Sequence, residues 1–419
     1  MAATAFSRAT RWIDRDWCMR LADGFAAAFA VALPWSTSAA TILSVLWLIV
    51  VIPTLDRAGL RRIVAMPAGG LPLLLVLLLL LGMAWAVGIP LAERWDGLKS
   101  AFKLLYIPLL IAHFARSERS HWMLIGFVIS CMALLALSGL GVLAPDVAQK
   151  LTAPKTPGVP VRDYVIQTEE FAICIFLLAP LALDAWLQRR RAIAVAFVLI
   201  GALFLVDMFY VVTSRTVLVV LPVLLLLFAA RYLSRGGMIA VVAAAAVLGG
   251  LAVVLAPQVR DNIAGLFTEV RDYRPDAART RAGERIEFWT KSVGFVASAP
   301  LIGHGTGSIR DQFRHVVVSG YYTNESLVAA NPHNQTLAVA IQLGLVGTVV
   351  LFAMWLSHVL LFYRSGGFAG WAGLLIVTQN IVGSLFNSHL FDFAQGWVYV
   401  FGVGVAAGIV LKARRERAP

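Results

Sequence analysis

Long, uninterrupted apolar runs constrain this 419-residue chain more than any other feature of its sequence. Residues 71–81 (LPLLLVLLLLL) carry no charge, and comparable stretches recur along the chain. A helix needs about 20 mostly apolar residues to cross a bilayer. The chain is 60% hydrophobic and only 14% charged, whereas soluble domains contain roughly 25% charged residues. The sequence therefore predicts an all-α integral membrane protein.

The apolar runs predict about twelve transmembrane helices. Lysines and arginines cluster after every second run, whereas the intervening short turns, such as residues 35–38, are not basic. Because cytoplasmic loops hold the positive excess, this alternation places both termini in the cytoplasm. The predicted spans centre near Ala28, Leu46, Leu78, Ile107, Leu134, Leu177, Val198, Val223, Ala245, Val350, Leu375 and Gly404.

The net charge of +12 has a topological explanation. Much of it lies in the short basic segments DRAGLRR (56–62), QRRRA (188–192) and KARRER (412–417). Charge distributed in this way follows membrane orientation and forms no single basic patch. We therefore predict no nucleic-acid partner, and membrane lipids as the surroundings of most of the chain.

Two loops on the external side are long, at residues 144–167 and 257–332. Loops beyond about 15 residues are usually functional or disordered. The second contains aromatic residues and the apolar stretch 292–302, so it is predicted to be partly helical and to pack against the membrane. No internal repeat or soluble domain is evident, and residues 1–419 are predicted to form one polytopic domain.

Arginines are the first candidate functional residues on the external side. Arg215 lies in a short external turn, where topology gives no reason for a positive charge; the alternative is an interfacial arginine that reaches lipid phosphates. Arg281 and Arg285 are one helical turn apart, and Trp289 extends their face. Guanidinium groups suit phosphate oxygens, so Arg215, Arg281 and Arg285 are predicted to bind a diphosphate. Arg271, Arg274 and Arg279 are interpreted as a solvated surface.

His333 is the candidate general base. Asn331 suits a helix N-cap and Pro332 the first helical turn, which would place His333 in that turn. The positive end of the helix dipole would keep its imidazole neutral, as a base requires. The alternative is a histidine that only caps a helix.

The glycine-rich segment 299–308 (APLIGHGTGS) has no Walker or dinucleotide signature and is interpreted as a structural turn, with His304 on its surface. No Asp-x-Asp, Glu-x-Asp or close histidine pair occurs in the external loops, so no metal site is predicted. Glu284 and Glu287 are interpreted as partners of Arg281 and Arg285. Secondary candidates for the site are Asn334, Trp289, His389 and His304.

Several short motifs resemble the bacterial O-antigen ligase family, whose superfamily also contains O-antigen polymerases and protein O-oligosaccharyltransferases. They are SRT (214–216), RIEFW with Arg285 and Trp289, PLIGHGTG (300–307), HNQTL (333–337) and GLVG (344–347). The resemblance covers essentially the whole chain. It implies that Arg215, Arg285 and His333 correspond to essential residues of the family, whereas Arg281 is added from its spacing alone.

The resemblance also implies a function. It predicts a GT-C-like, inverting, metal-independent glycosyltransferase of the inner membrane, without a cofactor and with a periplasmic active site. The donor would be a glycan on undecaprenyl diphosphate, and the acceptor a sugar hydroxyl of lipid A–core oligosaccharide. Displacing a diphosphate builds negative charge that preorganised arginines stabilise.

Three alternatives remain open from the sequence. A polymerase is disfavoured because no arginine in the two long loops has a glycine eleven residues later. A protein O-oligosaccharyltransferase is disfavoured because little sequence follows the last span. A transporter or flippase would place charges near the bilayer midplane and show related halves, but the mid-span candidates are few (Asp184 and Asp207).

Overall fold

The computed structural model describes residues 14–152, 158–211, 214–255, 257–273, 280–318 and 328–417. Arg274 and Arg279 lie outside these residues, and the side chain of Arg281 lies outside the described atoms. The described part of the chain is built from helices: α1 (Arg15–Ala32), α2 (Thr37–Val51), α3 (Arg57–Ala65), α4 (Pro67–Gly82), α5 (Leu91–Lys99), α6 (Tyr106–Phe114), α7 (His121–Leu143), α8 (Pro145–Thr152), α9 (Tyr164–Leu187), α10 (Arg191–Val206), α11 (Arg215–Tyr232), α12 (Arg235–Leu255), α13 (Pro257–Arg271), α14 (Arg281–Ser298), α15 (Ile309–Val318), α16 (Gln335–Tyr363), α17 (Gly367–Gly383) and α18 (Phe393–Glu416).

The helices confirm a multi-pass, all-α membrane protein. Among the described residues, 8 helices are long and apolar enough to cross a membrane, or up to 10 if each bent pair is one span. The pairs are α3 with α4, bent by 81°, and α5 with the helical stretch Phe102–Phe114, bent by 43°. Helices also lie at the two remaining predicted positions, α1 and the short apolar α17. The count of twelve stays a prediction.

Two apolar clusters hold the helices together. The larger lies among α1, α2, α4, α6, α16 and α18, and the smaller joins α7, α9, α10, α11 and α17. Helix α12 is different, because none of its residues is buried within the chain. An apolar helix with no buried face is what a lipid-facing segment requires, because lipid solvates apolar side chains on every side.

The basic loops contact one another on one side of the molecule. Each contact joins a cationic side chain to an oxygen of a neighbouring loop, at distances between 2.6 and 3.1 Å. Segments that the positive-inside pattern groups together are therefore neighbours in space. The pairs are Arg116 with the Thr54 carbonyl, Lys412 with the Ser117 carbonyl, and Arg231 with the Ser365 carbonyl.

The region predicted as the large external loop contains α13, α14 and α15. A third apolar cluster joins the last two of these helices to α16 through Phe295, Phe313 and Ile341. Phe295 and Phe313 meet edge to face at 5.1 Å. Through Ala338 and Ile341 the same cluster packs α14 and α15 against the first part of α16, close to the candidate histidine. The placement of the region on the periplasmic side stays a prediction.

The glycine-rich segment is inserted into a break in α16. Gly344 has a φ of 60° and interrupts the helix, and a Cβ there would lie 2.4 Å from the Leu301 carbonyl carbon. The amides of His304 and Gly305 donate to the carbonyls of Ile341 and Gln342. Backbone groups freed by the break are thereby satisfied, as membrane helices require. The segment has the structural role that the sequence favoured.

Candidate functional site

His333 lies beside α16 and does not belong to it. The helix begins at Gln335, and its N-cap is Asn334, whose side chain accepts a hydrogen bond from the Leu337 amide at 3.1 Å. The expectation that Asn331 caps the helix is therefore wrong. His333 has a φ of 52°, a left-handed conformation that a non-glycine residue adopts only when its surroundings impose it.

Asn331 imposes that conformation on His333. Its side-chain oxygen accepts the His333 amide at 2.9 Å and the Ser388 hydroxyl at 2.6 Å. A short polar side chain that bonds to the amide two residues later stabilises a tight turn. Asn331 thus helps position the histidine, although it does not begin the helix.

The His333 ring is oriented by the loop between α17 and α18. Its Nδ1 lies 2.9 Å from Oδ1 of Asn387. The Asn387 amide nitrogen donates to the Asp392 carboxylate at 2.7 Å, so the Asn387 oxygen faces His333. A carbonyl oxygen can only accept, and Nδ1 therefore carries the hydrogen. In the neutral ring this assignment leaves the lone pair on Nε2, the state that a proton acceptor needs.

The side chains of Lys103 and Gln335 hold the backbone of this loop in place. Lys103 donates to the carbonyls of Phe391 and Asp392 at 3.0 and 2.5 Å. The side-chain oxygen of Gln335 accepts the Leu390 amide at 2.9 Å. Both contacts lie in buried surroundings, so the Asn387 and Asp392 side chains are carried by a fixed backbone.

His389 is a buried residue of the same loop and pairs with Glu169 of α9. Its Nε2 lies 3.2 Å from the Glu169 carboxylate, and both side chains are almost completely buried. Burial is the largest single influence and lowers the pKa of His389, but the charge and hydrogen bond of Glu169, together with the charge of Asp392, raise the net pKa above its ordinary value. His389 therefore favours the charged state and forms a structural ion pair, whereas a base must be neutral.

Arg215 is the first residue of α11 and forms an ion pair with Glu269. Its two terminal nitrogens lie 3.0 and 2.8 Å from the two carboxylate oxygens of Glu269, a bidentate arrangement. The same carboxylate accepts the Ala282 amide in the first turn of α14, at 2.9 Å. Glu269 thus joins Arg215 to α14, and the sequence provided no spacing signal for this partner.

Helix α14 carries one principal candidate and contacts the surroundings of the other two. The Ala282 amide donates to Glu269, the partner of Arg215, and the Phe288 ring stacks on His333, with centroids 6.0 Å apart and planes at 23°. Arg285 lies three residues from each of Ala282 and Phe288, and residues three apart are neighbours on a helix surface. The positive charge of Arg285 also lowers the pKa of His389, which places Arg285 within electrostatic range of the same loop.

Two other candidates have structural contacts. The His304 ring nitrogen lies 2.9 Å from the Phe295 carbonyl and ties the glycine-rich segment to the last turn of α14. Asn334 caps α16 and donates to the Leu385 carbonyl at 3.2 Å. Trp289 lies on α14 with its indole nitrogen buried and without a hydrogen-bond partner among the described residues.

Glu287 has partners that the sequence did not suggest. It accepts a hydrogen bond from the Tyr273 hydroxyl and lies 3.7 Å from the Lys291 amine. Burial and the neighbouring carboxylate raise the pKa of Tyr273 to about 12, so the phenol stays protonated. The described residues contain no group of three His, Cys, Asp or Glu side chains placed to hold a metal ion.

Arg162 is a further charged residue that the sequence interpretation missed. Its guanidinium lies 5.6 Å over the Phe393 ring. All three of its side-chain nitrogens are buried without a hydrogen-bond partner in the described part of the chain. In the sequence, Arg162 stands out only by its position in the shorter of the two predicted external loops, two residues before α9.

Comparison with known proteins supports the family resemblance. A family model described as O-Antigen ligase matches residues 200–352, which include Arg215, Arg285 and His333. No curated protein matches the chain. The matched region contains all the motifs that resemble the O-antigen ligase family. In this region the chain is similar to membrane glycosyltransferases of the O-antigen ligase and polymerase type.

Proposed function

We propose that this protein is an O-antigen ligase of the bacterial inner membrane. It transfers a glycan from undecaprenyl diphosphate to a sugar hydroxyl of lipid A–core, at a site that faces the periplasm, with inversion and without a metal. The observation that carries the proposal is that α14, which contains Arg285, also contacts Glu269, the partner of Arg215, and His333. The family match supports the reaction class.

His333 acts as the general base in this proposal. With Nδ1–H directed at Asn387, the Nε2 lone pair takes the proton of the acceptor hydroxyl. The acceptor oxygen forms a bond to the anomeric carbon while the bond from that carbon to the diphosphate oxygen breaks. The electron pair of the broken bond leaves with the diphosphate. Attack opposite the leaving group inverts the anomeric centre.

Arginines stabilise the leaving diphosphate. Arg285 and Arg215 supply positive charge where negative charge develops, and Arg281, which opens α14, is proposed to join them. Glu269 accepts one hydrogen bond from each terminal nitrogen of Arg215, whereas the Nε donor is buried with no hydrogen-bond partner among the described residues. Because a guanidinium has five N–H donors, Glu269 can keep Arg215 oriented while the remaining donors bind the diphosphate.

An apolar cavity is suited to the polyprenyl tail. It has a volume of about 470 Å³ and lies among α1, α7, α9, α17 and α18. It shares Ile173, Ile376 and Val398 with the small polar cavity that contains Glu169 and His389. The tail would therefore lie in the membrane domain while the diphosphate remains near the loop beside His333.

The test is transfer by the purified protein in lipid vesicles, with lipid-linked glycan and lipid A–core. We expect glycosylated lipid A–core from the wild type, no product from His333→Ala, and full activity from His315→Ala, whose side chain is exposed on α15. Longer glycan on the polyprenyl carrier with untouched lipid A–core would make the protein a polymerase. Near-normal transfer by His333→Ala would remove His333 from the mechanism.

A further inference from the structure

A polar cavity of about 280 Å³ lies against residues 330–331, just before His333. It is enclosed by α5, the end of the glycine-rich segment, the start of α15, the start of α16 and the loop before α18. Cavities of this size accept small molecules or single sugar residues. The polar and charged side chains that line it are Glu93, Asp96, Ser100, Arg310, Asn331, Gln342, Ser388 and Asp392.

The cavity wall and the His333 network share residues. Asn331 accepts the His333 amide, Ser388 donates to Asn331, and Asp392 accepts from Asn387, the partner of the His333 ring. All three of these side chains also line the cavity. A ligand in the cavity therefore lies against the groups that orient the proposed base.

The cavity is held in shape by contacts between its walls. Gln342 accepts the Gly307 amide at 2.8 Å and donates to the Ala338 carbonyl at 2.8 Å. Gly97 packs so closely on Gly307 that a Cβ at Gly97 would lie 2.7 Å from the Gly307 nitrogen. A cavity whose walls are fixed before binding loses little entropy when a ligand enters.

One wall presents an acceptor oxygen that lacks a partner. One Glu93 oxygen receives the Arg314 guanidinium at 2.7 Å. The other is buried, and no described residue donates to it. A buried carboxylate oxygen without a donor is costly. A hydroxyl of a ligand in the cavity would supply the missing hydrogen bond.

The charges of the lining define the ligand class. Glu93, Asp96 and Asp392 contribute three carboxylates, against the single guanidinium of Arg310. This balance disfavours a diphosphate, for which the proposed counter-charges are Arg215 and Arg285, neither of them a lining residue of the cavity. Carboxylates and amides instead suit the hydroxyl groups of an uncharged sugar, which donate hydrogen bonds.

We infer that this cavity binds the sugar of the acceptor that carries the reacting hydroxyl, while Arg215 and Arg285, which are not among its lining residues, bind the donor. The inference rests on the proposed function. It divides the site into a carboxylate-lined part for the acceptor and an arginine-containing part for the donor. Asp96, Ser100 and Glu93 then contribute to acceptor affinity and not to donor affinity.

Asp96→Asn tests this division, with Lys99→Gln as its matched control. Asp96 pairs with Lys99 at 2.5 Å, so both variants break the ion pair, but only Asp96 lines the cavity. We expect the KM for lipid A–core to rise about tenfold in Asp96→Asn, as the loss of a charged hydrogen-bond acceptor implies. The KM for the lipid-linked donor should stay unchanged, and Lys99→Gln should match the wild type in both.

Ser100→Leu provides a second measurement, because its larger side chain would narrow the cavity. We expect it to raise the acceptor KM without altering the donor KM, in protein whose thermal unfolding matches the wild type. An unchanged acceptor KM in both variants, or an equal rise in donor KM, would overturn the inference. Absence of glycan transfer to lipid A–core by the wild type would overturn the proposed function. Normal transfer with unchanged acceptor KM values in the variants would overturn only the acceptor site, so the two results are distinguishable.

Discussion

At the scale of single residues, the candidate site depends on polar partners that the sequence could not pair. Asn387 and Asp392 decide which nitrogen of His333 carries the hydrogen. Glu269 holds Arg215 in a bidentate contact that spans 54 positions of the chain. Residue type identified the charged groups, but only contacts between distant segments assign their orientation and protonation.

Arg215→Ala should impair use of the lipid-linked donor, because a bidentate guanidinium is well suited to diphosphate oxygens. We expect kcat/KM for the donor to fall by about 100-fold, the scale of losing one preorganised charge partner. Arg271→Ala is the control, since Arg271 is exposed and pairs with the adjacent Asp272. Equal losses in the two variants would contradict a specific role for Arg215.

The His389–Glu169 pair should make stability depend on pH. The folded-state pKa of His389 is raised, so its contribution is complete below the unfolded pKa of about 6.5 and disappears as pH rises through the folded pKa. The difference in Tm between the wild type and His389→Gln should therefore be larger at about pH 6 than at about pH 9. A difference independent of pH, measured in detergent, would show that the pair does not titrate in this way.

At the scale of elements, α14 and the broken α16 define the site. Helix α14 carries Arg285, contacts the partner of Arg215 through Ala282, and contacts His333 through Phe288. The interruption of α16 at Gly344 admits the segment around Leu301, which holds α14 through His304. Hydropathy predicts both helices approximately. It does not predict the break at Gly344, because the apolar run continues through it and the freed backbone groups are satisfied by a distant segment.

Gly344→Ala should destabilise this junction. Its φ of 60° disfavours any side chain, and a Cβ would lie 2.4 Å from the Leu301 carbonyl carbon. We expect a loss of more than about 1 kcal/mol in unfolding free energy, seen as a lower Tm in detergent. Gly139→Ala in α7 is the control, because nothing lies within 4 Å of a Cβ there. Equal Tm values for both variants would contradict this role.

At the scale of the whole molecule, the charges are arranged on two sides. Loops rich in lysine and arginine contact one another at one end of the helices, whereas His333 and its partners lie at the other. The mid-chain carboxylate of Asp207 is held by Ser138 and Gln167, so it is a fixed polar contact between helices. This arrangement favours an enzyme with a surface site over a transporter with a charged path.

Labelling of single cysteines tests the orientation. The native thiols of Cys18, Cys131 and Cys174 are buried, so background reaction should be low. We expect a membrane-impermeant maleimide, applied to cells with a permeabilised outer membrane, to label His315→Cys in α15. Arg61→Cys in α3 should react only after the inner membrane is opened. The reverse pattern would invert the topology and exclude a periplasmic site.

The amino-acid sequence alone predicts the class of the protein, the approximate positions of its helices and the residue types of its candidate site. Hydropathy and the distribution of positive charge are local properties, and a bilayer converts them directly into spans and orientation. Arg215, Arg285 and His333 were identifiable because charged or titratable residues at the ends of apolar runs are rare.

How those residues are held depends on contacts between distant segments. His333 lies outside the helix, its ring is hydrogen-bonded to Asn387, and Glu269 bridges Arg215 and α14. The tertiary structure also encloses a polar cavity between segments more than 200 residues apart, such as α5 and Gly307. Such contacts depend on how separate helices pack, and side-chain packing carries no periodic signal in the sequence.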